Sequence, residues 1–313
     1  MIADGRLRPH AGGGPSSCYR TDTPHEGSTV NAAQLLNGIA LGSLLMVLSS
    51  GLAMIYGLRG VTNFAHGALY MSGAYLAYTL SDRVSFWAAI VLVPLALAVI
   101  GVVLETAFFR PLQDRSHIEV GLVTFGIALI AERVVVLIWG ERTLSVDPPA
   151  GLTGTTSLLG VDYPTYRLAI IVVALLMAIA LVLWLRNTRT GLHIRAASQD
   201  IETAGIMGID VNKVSLIVVS VGAALAGLAG TLAAPYVSLD PNMGNTFLIV
   251  VLIVVVIGGI GSIGGAMVAG MGLGVIQSVS TVWSPSVAVV VPYVALVVVL
   301  LWRPQGLAGK RVS

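Results

Sequence analysis

Asn63 and His66 stand three residues apart in LRGVTNFAHGALYMSGAY, inside an otherwise apolar run. On a helix that spacing puts both on one face, and neither belongs against lipid. The pair either fixes two helices by a hydrogen bond or touches a polar translocation path. Glu132 and Arg133 interrupt a second apolar run, each at a cost of about 2.5–3.5 kcal/mol at a bilayer centre and less toward its edge. Adjacent residues diverge on a helix, so a partner subunit or a polar cavity has to satisfy them. Glu105, near the end of a third run, is expected to snorkel or to pair with Arg59. No metal or other cofactor is expected. The five histidines (10, 25, 66, 117 and 193) are scattered, and the single cysteine, Cys18, lies in a polar tail. Ser262 sits in GIGSIGG, which lacks the G-x-S-x-G arrangement of a nucleophile elbow. No G-x-x-x-x-G-K-[ST] string is present, so the chain has no P-loop with which to grip ATP.

Composition decides what kind of scaffold positions these groups. Of 313 residues, 56% are hydrophobic and 10% charged, and mean hydropathy is +0.90. A soluble globule needs a polar skin that this chain lacks, and a disordered chain would be poor in apolar residues. A net charge of +2 argues against nucleic acid as a partner. The expectation is an all-α, polytopic membrane helical bundle. Runs near the ~20 residues that cross a bilayer occur at 35–57, 61–80, 86–108, 120–140, 166–185, 214–236, 247–261, 264–283 and 287–302. Eight to nine of them are taken as spans. Residues 61–80 carry Asn63 and His66, and 247–283 make two short glycine-rich passes that a broken or re-entrant segment would also fit.

Lys and Arg orient the bundle. Arg110 and Arg115, then Arg186, Arg189, Arg195 and Lys213, then Arg303, Lys310 and Arg311 alternate correctly if all face the cytosol. Loops 81–85, 141–165 and 237–246 then face outward. Nine spans put the N-terminus outside, in conflict with Arg6, Arg8 and Arg20 of its tail. Residues 1–32 read as a disordered polar tail with no secretory-signal core, 33–308 as the transmembrane domain, and 309–313 as a basic C-terminal tail.

Thirty-six glycines lie mostly within the apolar runs. Gly222, Ala226 and Gly230 recur every four residues, as do Gly270 and Gly274. In lipid such stripes let backbones approach closely, which gives either plain tight packing or a bundle whose helices can rock. GGIGSIGG at 258–265, with Gly258, Gly261 and Gly265, is read as a helix break at or near a membrane boundary.

Between the fifth and sixth runs lies RNTRTGLHIRAASQDIETAGIMGIDVNKV, 186–214. Residues 194–207 can form an amphipathic helix with Ile194, Ala197, Ile201 and Ala204 on one stripe and Arg195, Gln199 and Glu202 in water. Such a helix either lies at the membrane interface or docks in a partner's groove. Glu202, Ala204 and Gly208 resemble, at the same spacing, the EAAxxxG loop of ABC-importer permeases, with Thr203 replacing the first Ala. GLAMIYGLRGVTNFAHGALYMSGAYLAY (51–78), the 186–214 string and GGIGSIGGAMVAGMGLGVIQS (258–278) together resemble the permeases of branched-chain amino-acid ABC importers, the LivH-like family, from about residue 33 to 308.

The resemblance implies a membrane permease subunit of an ATP-driven importer in a bacterial inner membrane. It implies a second permease chain (LivM-like, or a second copy), two cytosolic ATPases and an extracytoplasmic substrate-binding protein. Within 193–210 it implies a cytosolic coupling helix carried by Glu202, Ala204 and Gly208, with Arg195 on its wet side. The cargo it favours is an aliphatic amino acid, with other amino acids, amides or urea as relatives' cargoes. The alternative is an ion- or proton-driven secondary transporter, for which only Glu105 and Glu132 offer intramembrane carboxylates.

Overall fold

A computed structural model describes residues 32–158 and 161–309. Except for Ala32, the expected N-terminal tail lies outside the described residues, as does the C-terminal tail apart from Gly309. The helices are α1 (Ala32–Arg59), α2 (Ala65–Arg83), α3 (Phe86–Leu104), α4 (His117–Trp139), α5 (Thr165–Asn187), α6 (Arg189–Ala197), α7 (Ile201–Ile206), α8 (Val211–Ala233), α9 (Met243–Gly258), α10 (Ile263–Ser280) and α11 (Pro285–Trp302). A π turn, Glu105–Phe109, extends α3. One antiparallel hairpin between α4 and α5, β1 (Thr155–Leu158) with β2 (Val161–Pro164) in register Thr155 to Pro164, is the exception to an all-α chain.

Each of the nine apolar runs contains a helix. Among the described residues, seven helices are long and apolar enough to cross a membrane: α1, α3 with its π turn, α4, α5, α8, α10 and α11. α9 is apolar but has only 16 residues. α2 has 19 residues but is not among the seven. This is a polytopic helical membrane protein.

α1 lies at the centre, buried around most of its circumference against α10, α8, α5 and α9. Small residues along it, among them Gly38, Gly42, Ser43, Ser49, Ser50 and Gly51, let neighbouring backbones come close, which is what selects an inner helix in lipid. α11 is the opposite case: only Ala288 and Pro292 are buried, with Trp283 just before its start and Trp302 at its end both exposed. That is the pattern of a lipid-facing helix with aromatic interface anchors. Glycine brings the inner helices together. A Cβ on Gly42 would lie 2.7 Å from the Met271 carbonyl oxygen, and one on Gly73 2.7 Å from that of Gly227.

Consecutive long helices alternate in direction and create two ends. At one end Leu144 and Leu239 exchange backbone hydrogen bonds, Ser278 Oγ donates to the Gln34 carbonyl (2.9 Å) and Tyr163 donates to Asn37 (3.1 Å). At the other, basic end, Leu307 N donates to Ile257 O (2.8 Å) and Gly57 meets Gly261. α9 and α10 are separate helices. Gly259 and Gly261 have φ of 99° and 80°, which L side chains rarely adopt, and Ser262 caps α10 by accepting from Gly265 N (3.1 Å).

Two local expectations change. The helix expected over 194–207 is broken, because Asp200 is extended (φ −158°) and its carboxylate accepts from both Glu202 N and Thr203 N at 3.0 Å. A residue that caps a new helix cannot also continue the old one. Asn63 is not on a helical face with His66 either. It precedes α2, and its Oδ1 accepts from Ala65 N (3.0 Å). α2 also starts well inside the bundle. Phe64 N donates to Thr124 Oγ1, and Trp139 Nε1 to Thr79 Oγ1, so the two helices run side by side from residues 64 and 124. Thr124 is seven residues beyond His117, so α2 begins about 10 Å in from the basic end of α4.

Candidate coupling surface and intramembrane polar groups

Asn63 and His66 are each only 1% exposed. His66 Nε2 lies 3.0 Å from the Leu48 carbonyl of α1. A carbonyl only accepts, so Nε2 carries the proton and Nδ1 is left as an acceptor. Neither His66 Nδ1 nor Asn63 Nδ2 has a protein partner. The pair thus knits α1 to the submerged start of α2 and retains unused hydrogen-bonding capacity. A buried polar atom without a partner is costly, so either nitrogen would gain by meeting water or another polar group.

Glu132 and Arg133 diverge as their adjacency requires. Glu132 is half-buried and accepts from Asn245 Nδ2 (3.1 Å) in the first turn of α9. Arg133 is exposed and makes no ion pair among the described residues. The two polar sites adjoin, since Gly244, beside Asn245, packs on Gly67, beside His66. Leu48, Thr124 and Asn245 were not picked out by sequence. A backbone carbonyl carries no signal, and Asn245 sits in a loop-like string, PNMGN.

Of the packing glycines, Gly222 faces Ile55 and Gly51, Gly230 abuts the Tyr70 carbonyl, and Gly258 and Gly265 lie backbone to backbone. Gly261 faces Gly57 across the basic end.

The surface of α6 and α7 is built by capping and a few buried anchors. Thr188 caps α6 through Gly191 N (3.0 Å), and Arg195 Nη1 donates to the Leu185 carbonyl at the end of α5. Ile194, Ala197 and Ala204 are buried, while Arg195 and Glu202 are exposed. Ile201, placed on the buried stripe by sequence, is 42% exposed because the break at Ser198–Asp200 resets the helix phase. Gly208 follows α7 with φ 84°, and Asp210 then caps α8 through Lys213 N (3.1 Å). Ile206 and Met207 are 81% and 78% exposed. Two large apolar side chains at a charged end form a knob left largely uncovered by the described residues.

The Asp200 carboxyl is held below its usual range, first by the Thr203 hydroxyl and then by the Thr203 and Glu202 amides. A depressed folded value stabilises α7 above the unfolded value, and that contribution is lost as pH falls through the folded one. Asp200→Ala removes it at every pH. The protection of the Glu202 and Thr203 amides, relative to their intrinsic exchange at each pH, is expected to fall about fivefold at neutral pH and to lose the acid-range change that titration of Asp200 gives the wild type.

A bundle of this kind, with two short helices displayed at its basic end, has the build of a transporter's membrane component. The family model described as branched-chain amino acid transport system, permease component, matches residues 34–300, and the chain belongs to that family. It is 30% identical over 292 residues to the high-affinity branched-chain amino acid transport system permease protein BraD of Pseudomonas aeruginosa, covering 88% of this chain and 95% of BraD. To LivH of Escherichia coli it is 28% identical over the same length and shares. LivM of Salmonella typhimurium is 25% identical over 291 residues, with 84% of this chain and 67% of LivM covered. No solved structure matches the chain.

Proposed function

We propose that this chain is the permease subunit of an ATP-driven importer of branched-chain or closely related amino acids. It works beside a second permease chain of the LivM kind, in a bacterial inner membrane with its basic end in the cytosol. Two cytosolic ATPases dock on α6 and α7 through Arg195, Glu202 and the knob ending at Gly208, and a binding protein delivers substrate to the opposite end. The observation that carries this reading is the family match along 34–300, which takes in every long helix and the α6–α7 segment. ATP binding is useful only if the ATPases contact two bundle states differently, and α6–α7 is the exposed element through which they do so.

Glu132, Arg133, Asn63 and His66 face the path taken by substrate. An amino acid is a zwitterion, so the Glu132 carboxylate complements its ammonium end, while Arg133, which diverges from Glu132, offers its guanidinium to the carboxylate end from another side of the helix. Glu132→Leu is expected to cut maximal uptake about tenfold in an assembled complex, and Glu132→Gln, which keeps an acceptor for Asn245, less. Uptake of radiolabelled leucine into proteoliposomes holding the permease pair, ATPases and binding protein tests the whole assignment. ATP-dependent uptake is expected. Uptake by this chain alone under a proton or sodium gradient would establish the secondary-transporter alternative instead, which no relative supports.

A further inference from the structure

Glu105 is the one acidic side chain among the described residues that is fully buried, and it opens the π turn that ends α3. Arg59, the last residue of α1, donates from Nη2 to Glu105 Oε1, from Nε to Ser215 Oγ (2.8 Å) and from Nη1 to the Phe109 carbonyl (3.3 Å). Its guanidinium also lies 5.5 Å from the centre of the Phe109 ring. Ser215 is buried on α8. One guanidinium therefore ties together the basic ends of α1, α3 and α8.

α8 is also the helix into which α7 feeds. The linker is short and internally bonded: Gly208 N donates to Gly205 O and Ile209 N to Ala204 O, both at 3.0 Å, and Asp210 caps α8. A displacement of α7 has little slack to absorb it before it reaches Ser215. A cavity of about 300 Å³ at this end is lined by Ile201 of α7, by Val211, Asn212 and Ser215 of α8, and by Arg59 and Phe109. It gives α7 room to move inward, where a close-packed interior would not. Glu105 Oε2, buried and without a partner, leaves the network able to rearrange by gaining one.

We infer that Arg59, Glu105 and Ser215 form a positioning clamp that carries the movement of α6–α7 to α1 and α3 during each ATP cycle. Buried charges resist partial separation, because a half-broken pair strands a charge away from water. Such a clamp holds one arrangement or another rather than yielding gradually, which suits a two-state transporter. The inference rests on α6–α7 being the ATPase-facing segment.

The test uses the complete importer in proteoliposomes and reads ATP hydrolysed per amino acid taken up. Ser215→Ala is expected to raise that ratio about fivefold with the ATPases still bound and thermal stability little changed, whereas Glu105→Gln raises it and also lowers stability, because Arg59 loses its carboxylate. Reversing both charges (Arg59→Glu with Glu105→Arg) is expected to bring the ratio nearer wild type than either reversal alone. Should Glu105→Gln fail to assemble, Ser215→Ala decides, since it removes one hydroxyl and no charge. An unchanged ratio in the assembled Ser215→Ala complex overturns the clamp. Failure of the underlying reading looks different: an Ile206→Asp chain would then still recruit ATPases and support their stimulation.

Discussion

Replacing Ile206 and Met207 together by aspartate is expected to abolish ATPase binding and uptake while leaving the purified chain folded. The two side chains are 81% and 78% exposed, so among the described residues their loss removes little internal contact. A docking knob behaves differently in a complex. Two large apolar anchors at the centre of an interface account for much of its binding energy, and a carboxylate there must be desolvated without a partner. Loss of about 4 kcal/mol, a thousandfold in affinity, is the expected scale. Co-purification of the ATPases with tagged permease measures it. Gly208→Trp probes the same edge from the backbone. It strains a residue at φ 84° and adds a ring beside the knob. Lower transport with uncoupled ATP hydrolysis is expected, and unchanged substrate-stimulated hydrolysis would remove α7 from the coupling role.

Gly230→Ala and Gly126→Ala, chemically the same change, should move stability in opposite directions. At Gly230 an added Cβ overlaps the Tyr70 carbonyl and lies 2.9 Å from Ala74 N, both backbone atoms of α2. Backbone cannot swing aside as a side chain can, so α2 and α8 must separate, at about 3 kcal/mol or more. At Gly126 no atom lies within 4 Å of the added carbon, and alanine is the better helix former by up to about 1 kcal/mol. Thermal unfolding in detergent, followed by the loss of monodisperse protein, is the measurement. Equal effects of the two substitutions would mean that α2 and α8 are not packed as described.

Both substitutions are glycines within apolar runs, and nothing in their immediate sequence separates them. The four-residue spacing of Gly222 and Gly230 does point to a packing face, but not to the helix across from it. The possible Arg59–Glu105 pair was visible because two charges near the ends of neighbouring apolar runs have few other partners. Ser215, the third member, is an ordinary serine until α8 is set against α1. At 194–207 periodicity suggested a single helix, and the capping chemistry of Asp200 outweighed it. The submerged start of α2 was missed for a related reason. Hydropathy registers that 61–80 is apolar, not the depth at which it begins to coil.

By itself the sequence determined the solvent, the apolar runs in which the helices form and the family, since each depends on local composition or on order along the chain. Only the tertiary structure decided which helices meet, which glycines are irreplaceable, and which partners Glu132 and His66 take. Those outcomes turn on contacts between residues distant in sequence. In a bilayer, where one apolar face is much like another, it is backbone fit and a few hydrogen bonds that choose among them.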